Sequence, residues 1–546
     1  MKSVMNKLLS GFIITALMLL LNTSCKKVLD IGPYNSLTDI TSFSTPDRVE
    51  AAVNGVYDAA QSGFYAGGAV RGYPFGAASI EQGDMRGEDM LTFVTFYALT
   101  YEATYNPSSA NNDFMFQTLY GLINKANLTI EGVNDAIAKG VITSTVGNVY
   151  LGECRLLRAM AHHELLIHFA RPYRDGNGSQ VGIIYRDFGI NGDATSAIAA
   201  SKTRTTVADG YTKVLADLDL AETNLPASIT GASKTYRASK AAAIALKMRV
   251  RLHMGDWPNV ILEGAKLVPA TPAMTSYPGF TSPIGGWKLE TSPVTPFTTG
   301  GWQGNEAIFS MRNASTDNGG VNGALPNMLG NTSIGGRGII RVSPVIYNLP
   351  DFLCVDARRN MMSVIGTGAS ANYVSTKYID PTTSTDPAPL IRYAEVLLTL
   401  AEAEARQNGI TTKALQLIND VRNRSLPGGP GNFTTPPVLT YTVASFLNTN
   451  AFITAILNER RIEFIAEGKR WADIHRNATD ANFTTGGIPA KIGVGASTFA
   501  MYSCGVGNAT YTTSVAAFPY SDNRFLWPIP ASETLLNVNY AQNPGY

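Results

Sequence analysis

The chain holds five histidines, and three of them fall in the run "HHELLIH". A helical zinc-peptidase site needs histidines at i and i+4 with a glutamate after the first, because that spacing puts both imidazoles on one face. Here His163-Glu164 is followed by His168 at i+5, which turns off that face. Helix-surface or core-edge positions are therefore expected for these rings, and His253 and His475 stand isolated in the chain. No Gly-x-Ser-x-Gly elbow or Gly-x-x-x-x-Gly-Lys-Ser/Thr loop occurs. "SIGGRGII" and "LPGGPGN" read as flexible loops, not phosphate cradles.

The densest charge pattern is "NERRIEFIAEGKRWADIHR". Glu459, Glu463 and Glu467 recur at i, i+4 and i+8 on one helix face. Like charges so placed repel by about 0.2–0.5 kcal/mol per pair in an isolated helix. Arg460 and Arg470 lie three residues from Glu463 and Glu467, so they relieve part of this, and the rest calls for partners on adjacent segments. The pattern reads as a structural ion-pair network rather than a catalytic carboxylate cluster. No catalytic residue is assigned; a secreted glycan hydrolase stays as a minor alternative, since paired carboxylates meet only in the fold.

The elements that must position such residues are mostly helical. "TPDRVEAAVNGVYDAAQ" puts Val49, Val53, Val56 and Ala60 on one face, with Thr45 as cap and Pro46 at the first helical position. Ile123, Asn127, Ile130, Val133 and Ile137 form a second stripe, and Cys154, Leu157, Ala161, Leu165 and Phe169 a third. Val207, Tyr211, Val214, Leu218, Ala221 and Leu225 make a fourth, ended by Pro226. The Ala-rich helix after Ser239 ends at Gly255, and three more follow in "LIRYAEVLLTLAEAEARQNG", "TKALQLINDVRNRS" and "FITAILNERRIEFIAEGKRW". Short links between helices predict a mainly α fold, a tetratricopeptide-like helix-pair superhelix, although no clean 34-residue unit aligns. From Pro269 to Pro389 the chain is rich in Gly, Pro, Ser, Thr and Asn, which predicts a loop-rich second lobe with short strands.

Composition excludes some classes. The 546 residues carry 43 basic and 42 acidic side chains, a net charge of +1, so nothing favours nucleic acid. Charged residues are only 16%, below the usual share of about 25%, so neutral polar surfaces are expected. The N-terminus reads "LLSGFIITALMLLLNTSCKK" after Lys2 and Lys7. The apolar run from Leu8 to Leu21 is too short for a spanning helix, which needs roughly 20 residues, and has the grammar of a signal peptide. Thr23-Ser24 before Cys25 resembles a lipobox, with Asn22 where a leucine is usual. Residues 1–24 are thus read as a lipoprotein signal peptide and Cys25 as the lipid-attachment residue. Of four cysteines three then remain, an odd count that cannot form a complete disulfide framework. Cys154, in a helical stripe, reads as a small buried hydrophobe.

The order of these pieces resembles the SusD/RagB family of outer-membrane nutrient-binding lipoproteins of Bacteroidetes-type bacteria. "KKVLDIGPYNSLTD" resembles its extended opening segment, and "GECRLLRAMAHHELLIHFARPY" its long early helix. "RTTVADGYTKVLADLDLAETNLP" and "RASKAAAIALKMRVRLHMGDW" resemble the next two helices. "IRYAEVLLTLAEAEAR", "NERRIEFIAEGKRWADIHR", "FLWPIP" and the terminal "QNPGY" are similar to its C-terminal half. The resemblance implies an N-terminal helical region over 25–268, a variable lobe over 269–389, and a C-terminal region over 390–546 packing back on the helices. It implies a non-catalytic, lipid-anchored protein on the outer face of the outer membrane. The implied role is to capture oligosaccharides as the lid of a SusC-like TonB-dependent barrel transporter; some relatives take peptides or other nutrients. No cofactor is implied, and a structural calcium ion is left open.

Sugar rings stack their C–H faces on aromatic rings, while Asn, Asp, Arg and Gln bond the hydroxyls. The family tends to place such residues on loops after the first helix and in the variable middle. Those loops offer Asp84, Arg86, Phe96, Tyr97 and Tyr101, then Trp287, Trp302 and Gln303. Trp287 and Trp302 flank Gly-rich turns, so exposure is expected of them, whereas Trp471 and Trp527 are assigned to packing.

Overall fold

The apolar stripes and their caps form the helices they predict. In the computed structural model, which describes residues 41–62, 72–272, 277–428, 439–504 and 511–546, α1 runs Pro46–Ser62. Its face of Val49, Val53, Val56 and Ala60 is fully buried. The signal segment and Cys25 lie outside the described residues. The next main helices are α2 (Ala77–Met85), α3 (Ala110–Ala138), α4 (Ser144–Phe169), α5 (Val207–Asn224), α6 (Lys240–Met254) and α7 (Trp257–Leu267). After a long loop region come α8 (Tyr393–Asn408), α9 (Thr412–Asn423), α10 (Thr449–Glu463) and α11 (Arg470–Arg476). Thr143, Thr206, Ser239, Thr411 and Asn448 each accept a backbone N–H at a helix start, satisfying a donor with no partner inside the helix. Gly255 ends α6 in the left-handed region at φ 74°, a conformation any side chain would strain.

The helices pack as neighbours in sequence: α3 on α4, α4 on α5, α6 on α7, α8 on α9. This is the mainly α, helix-pair architecture expected. Two differences stand out. The helix α3 starts at Ala110, earlier than its stripe, because Met115 and Phe116 are buried, Phe116 packs on Phe169 and Tyr540, and Phe114 meets Tyr73. The second is α7, which no long apolar stripe predicts. Its stripe of Val260, Gly264 and Leu267 is short and interrupted by glycine, but Gly264 lets it approach Leu400 of α8 and Met248 of α6.

Between α7 and α8 the chain makes loops, short helical turns and strands. β1 (Met90–Thr92) pairs antiparallel with β3 (Ile340–Val342), and β2 (Ala307–Met311) with β6 (Ala388–Arg392). β4 (Met362–Ile365) pairs with β5 (Asn372–Ser375), and β7 (Gly487–Ile488) with β8 (Phe518–Pro519). Among the described residues each sheet has two strands, so they pin loops rather than build a layer. No helix among the described residues is long and apolar enough to cross a membrane.

The acidic face of α10 and the turn after it are buried in a network whose partners come from elsewhere. Glu463 bonds Arg392 at 2.9 Å, Arg424 at 2.7 Å and Arg358 at 3.0 Å. Glu467 bonds Arg392 at 2.8 Å and Lys377 at 2.6 Å, while Glu459 takes Arg358 at 2.6 Å. Glu306, at the start of β2, joins Arg392 and Arg424, and Asp356 holds Arg358 at 2.7 Å. The i+3 pairings expected of Arg460 and Arg470 do not form. Arg460 turns to Asp473 at 3.1 Å, and Arg470 to Glu88 at 2.6 Å, because stronger partners already hold the glutamates. Burial alone would raise the Glu463 carboxyl; Arg424, Arg392, Arg358 and Lys377 outweigh it and hold it well below the usual carboxylate range.

The histidines correct the reading of helix-surface or core-edge rings, with two of them isolated. His162, His163, His168, His253 and His475 are all buried, because α4 is enclosed by α3 and α5 and reached by α6. His253 is not isolated: its ring lies 4.8 Å from that of His163. Burial drives the His163 pKa down to about 4, with Glu164 and Glu395 opposing and Arg249 and Lys469 assisting. A second correction concerns the cysteines. Cys354 and Cys504 form a disulfide across 150 residues, leaving Cys154 free and buried as read. The odd number leaves room for one bridge.

Two outcomes are expected. Glu463→Ala leaves three cations short of a partner and should destabilise the fold by roughly 3–5 kcal/mol, measured by denaturant melts. His163 is neutral when folded but binds a proton near pH 6.5 when unfolded, so its contribution is intact above pH 6.5 and lost as pH falls toward about 4. His163→Phe should therefore flatten the fall of melting temperature over that window.

Candidate functional site

Most residues singled out for ligand contact are structural. Asp84 is buried and accepts the backbone N–H of Gly468 at 3.1 Å; burial lifts its carboxyl to about 7. The Arg86 guanidinium lies 3.5 Å over the Trp471 ring and 4.7 Å from that of Trp527, donating to the Phe525 carbonyl and to His168 Nδ1 at 2.9 Å each. Tyr97 and Tyr101 are buried, and the Tyr101 hydroxyl donates to the Ile492 carbonyl at 2.7 Å. Trp287 and Trp302 are also buried, contrary to the exposure expected of them. Their glycines form tight turns that fold each indole inward: Trp302 packs edge-on to Phe297 at 5.3 Å and stacks on Tyr378 at 5.9 Å. Gln303 alone stays exposed, and Phe96 is half-buried beside Arg337. Trp471 and Trp527 are packed in the core.

The accessible aromatic surface lies elsewhere, where three distant segments meet. Tyr347 ends a helical turn after β3, Tyr373 sits on β5, and Phe499 and Tyr502 belong to the C-terminal tail. Tyr347 stacks on Tyr373 at 4.6 Å and 22°, and Tyr373 on Phe499 at 5.9 Å and 26°. Tyr502 meets the two tyrosines edge-on at 5.2 Å and 5.1 Å, locking the run from the side. Phe499 is 42% exposed, and Val364, opposite Tyr373 in the hairpin, is 46% exposed. The half-buried Arg359 guanidinium lies 4.5 Å from the Tyr347 ring and donates to the carbonyls of Leu353, Tyr347 and Phe352. Phe93 follows β1 with Arg341 at 3.3 Å over its ring, and Gly495 of the tail reaches the Thr92 carbonyl beside it.

This tail is held by polar contacts and by the disulfide. The Tyr502 hydroxyl donates to the Val342 carbonyl at 2.8 Å, and Asn348 Nδ2 to the Met501 carbonyl at 2.7 Å. Ser497 donates to Asn372 Oδ1, and Ser503 N–H to Asn348 Oδ1 at 2.7 Å. Cys504, two residues after Tyr502, is bonded to Cys354. Preformed aromatic faces beside the guanidiniums of Arg359 and Arg341 suit the apolar face of a ring ligand. Among the described residues no group of three or more His, Cys, Asp or Glu is placed to hold a metal ion.

Two family models match, one for the SusD family over residues 354–546 and one described as starch-binding associating with outer membrane over residues 28–252. The chain belongs to the SusD/RagB family. A SusD-like protein of Formosa agariphila is 24% identical over 493 residues, covering 83% of this chain and 88% of its own. A SusD superfamily protein from Bacteroides fragilis shares the fold at TM-score 0.72 and 24% identity, covering 91% of this chain and 99% of that one. Surface glycan-binding protein A from Bacteroides uniformis does so at TM-score 0.65 and 18% identity, covering 91% and 99%.

Within this SusD-family chain the aromatic run escaped the sequence reading because its rings come from "VIYNLP", "ANYVST" and "STFAMYSC", none periodic or Trp-bearing. The one available signal was that Cys354 and Cys504 each follow a pair of aromatics, Tyr347 and Phe352, Phe499 and Tyr502. Pairing those cysteines would have brought the rings together. Replacing both by serine should cost roughly 2–5 kcal/mol of stability. It should also weaken the tyrosine bands of the near-ultraviolet circular dichroism of the folded protein while the far-ultraviolet spectrum holds. Unchanged near-ultraviolet bands would show that the tail is positioned without the bridge.

Proposed function

We propose that this SusD-family protein captures oligosaccharides at the cell surface and delivers them to a SusC-like TonB-dependent transporter in the outer membrane, acting as its lid and not as a hydrolase. The observation that carries the reading is the stacked run Tyr347, Tyr373 and Phe499, open at Phe499 and flanked by Arg359 and by Phe93 under Arg341. Aromatic faces bind the C–H faces of pyranose rings with little ordering cost when already fixed. The description of the N-terminal family model, starch-binding associating with outer membrane, and the name of the B. uniformis neighbour support a glycan ligand and an outer-membrane site. Lipidation at Cys25 would provide the anchor.

Calorimetric titration of the purified protein with neutral oligosaccharides tests this. Phe499→Ala removes an exposed ring, so it should leave the melting temperature nearly unchanged yet weaken binding roughly tenfold, the equivalent of about 1.4 kcal/mol. Full affinity in that variant would remove the platform. Turnover of any glycan by the wild type would favour the hydrolase, and binding of peptides alone would move the ligand class.

A further inference from the structure

A second cleft lies on helix α1, away from the aromatic run. The buried stripe Val49, Val53, Val56 and Ala60 turns the polar stripe Glu50, Asn54, Tyr57 and Asp58 toward the cleft, with Gln61 buried at its end. These residues recur at i, i+4, i+7, i+8 and i+11, one face of a helix. The stripe forms one wall of a cleft of about 600 Å³, closed by Tyr236, Arg237 and the turn Met311–Asp317. That volume is within the range of ligand pockets, about 300–1,000 Å³.

The cleft is braced from behind. Gln61, 7% exposed, donates through Nε2 to the carbonyls of Arg312 and Asp317 at 3.0 Å each and to Asn313 Oδ1 at 2.9 Å. This fixes the turn against α1, and it leaves Gln61 Oε1 buried with no donor among the described residues. Arg237 lies 5.0 Å from the Tyr57 ring and is spent on Glu153 and on Asn54 Oδ1. The Tyr57 hydroxyl accepts the Ala238 N–H at 2.9 Å. The half-buried ring of Tyr236 is held by a hydrogen bond with Gln303 and has Arg312 at 6.0 Å.

What remains unspent defines the ligand. Glu50, Asp58 and Asp317 are exposed and form no ion pair among the described residues, and Arg312 is likewise free of a carboxylate. Asp58 and Asp317 line the same cleft, and burial, then Asp317, lifts the Asp58 carboxyl above its usual range against the opposing charge of Lys125. Carboxylates accept vicinal hydroxyls, a guanidinium donates to ring and hydroxyl oxygens, and two half-buried tyrosine rings offer apolar faces. The excess of carboxylates repels uronates and sulfated sugars.

We propose that this cleft is a second binding site for a neutral, hydroxyl-rich ligand, a stretch of oligosaccharide held by Tyr57, Tyr236, Asp58, Asp317 and Arg312. The inference rests on the reading that the protein binds glycans, and it assigns Gln303 a positioning role through Tyr236. Two linked sites on one protein raise the retention of a long chain over either site alone, by effective concentration.

The test is calorimetric titration with malto-, cello-, xylo- and laminarihexaose of four proteins: wild type, Tyr373→Ala/Phe499→Ala, Asp317→Asn/Tyr236→Ala, and the combination of all four changes. The platform variant should keep one weak site for the hexaose that wild type prefers. The combined variant should bind at least roughly tenfold more weakly than the platform variant. An oligouronate of the same length should not compete for the residual site. Loss of all binding in the platform variant overturns the cleft and leaves the platform standing. Binding unchanged in the platform variant but lost in the cleft variant keeps the cleft and overturns the platform. A wild type that binds none of the four hexaoses overturns both.

Discussion

One carboxylate, Glu463, ties the loop-rich stretch between α7 and α8 to the C-terminal helices. Its carboxylate, 3% exposed as a residue, is shared by Arg358, Arg392 and Arg424, which arrive from a loop, from the end of β6 and from the segment after α9. Arg392 and Arg424 in turn fix Glu306 at the edge of β2, and Arg358 fixes Asp356 two residues after Cys354. Ions this deep repay their lost hydration only when each is fully met, so the arrangement tolerates few alternatives. Its consequence is register: the stretch between α7 and α8 has little apolar periodicity of its own, and these charges tell it where to sit.

The aromatic run is built at the end of that chain of constraints. Asp356 and Arg358 place Cys354, Cys354 holds Cys504, and Cys504 keeps Phe499 and Tyr502 against Tyr347 and Tyr373. A binding face assembled in advance from fixed rings avoids ordering side chains when ligand arrives. The same economy appears in the cleft on α1, where Gln61 and Arg237 are consumed in bracing and leave the carboxylates and tyrosine rings free. In both places the groups that position are held by hydrogen bonds, ion pairs or the disulfide, and the groups open to a ligand are half-buried or exposed.

The helical frame was legible in sequence because its information is local. Periodic stripes such as Cys154, Leu157, Ala161, Leu165 and Phe169 are fully buried, and Thr206 and Ser239 cap where they were expected to. The acidic face of α10 was legible as a network in need of outside partners, but not which partners, since Arg358, Arg392 and Arg424 are far away in sequence. Trp287 and Trp302 misled because a Gly-rich turn can fold a ring inward as readily as present it, and sequence holds no signal for the direction. The histidines misled through a similar gap: a polar ring on α4 looks peripheral until α3, α5 and α6 enclose it. The site itself joins residues more than 150 positions apart, and only the cysteine pairing hinted at it.

The central claim is that ligand rests on the ring run and not on the residues first singled out by type. A crystal structure of the protein with the best-bound hexasaccharide tests it most directly. The account predicts a pyranose ring stacked on Phe499 beside Tyr373. A sugar bound only at a surface lacking Tyr347, Tyr373, Phe499 and Tyr502 would contradict it.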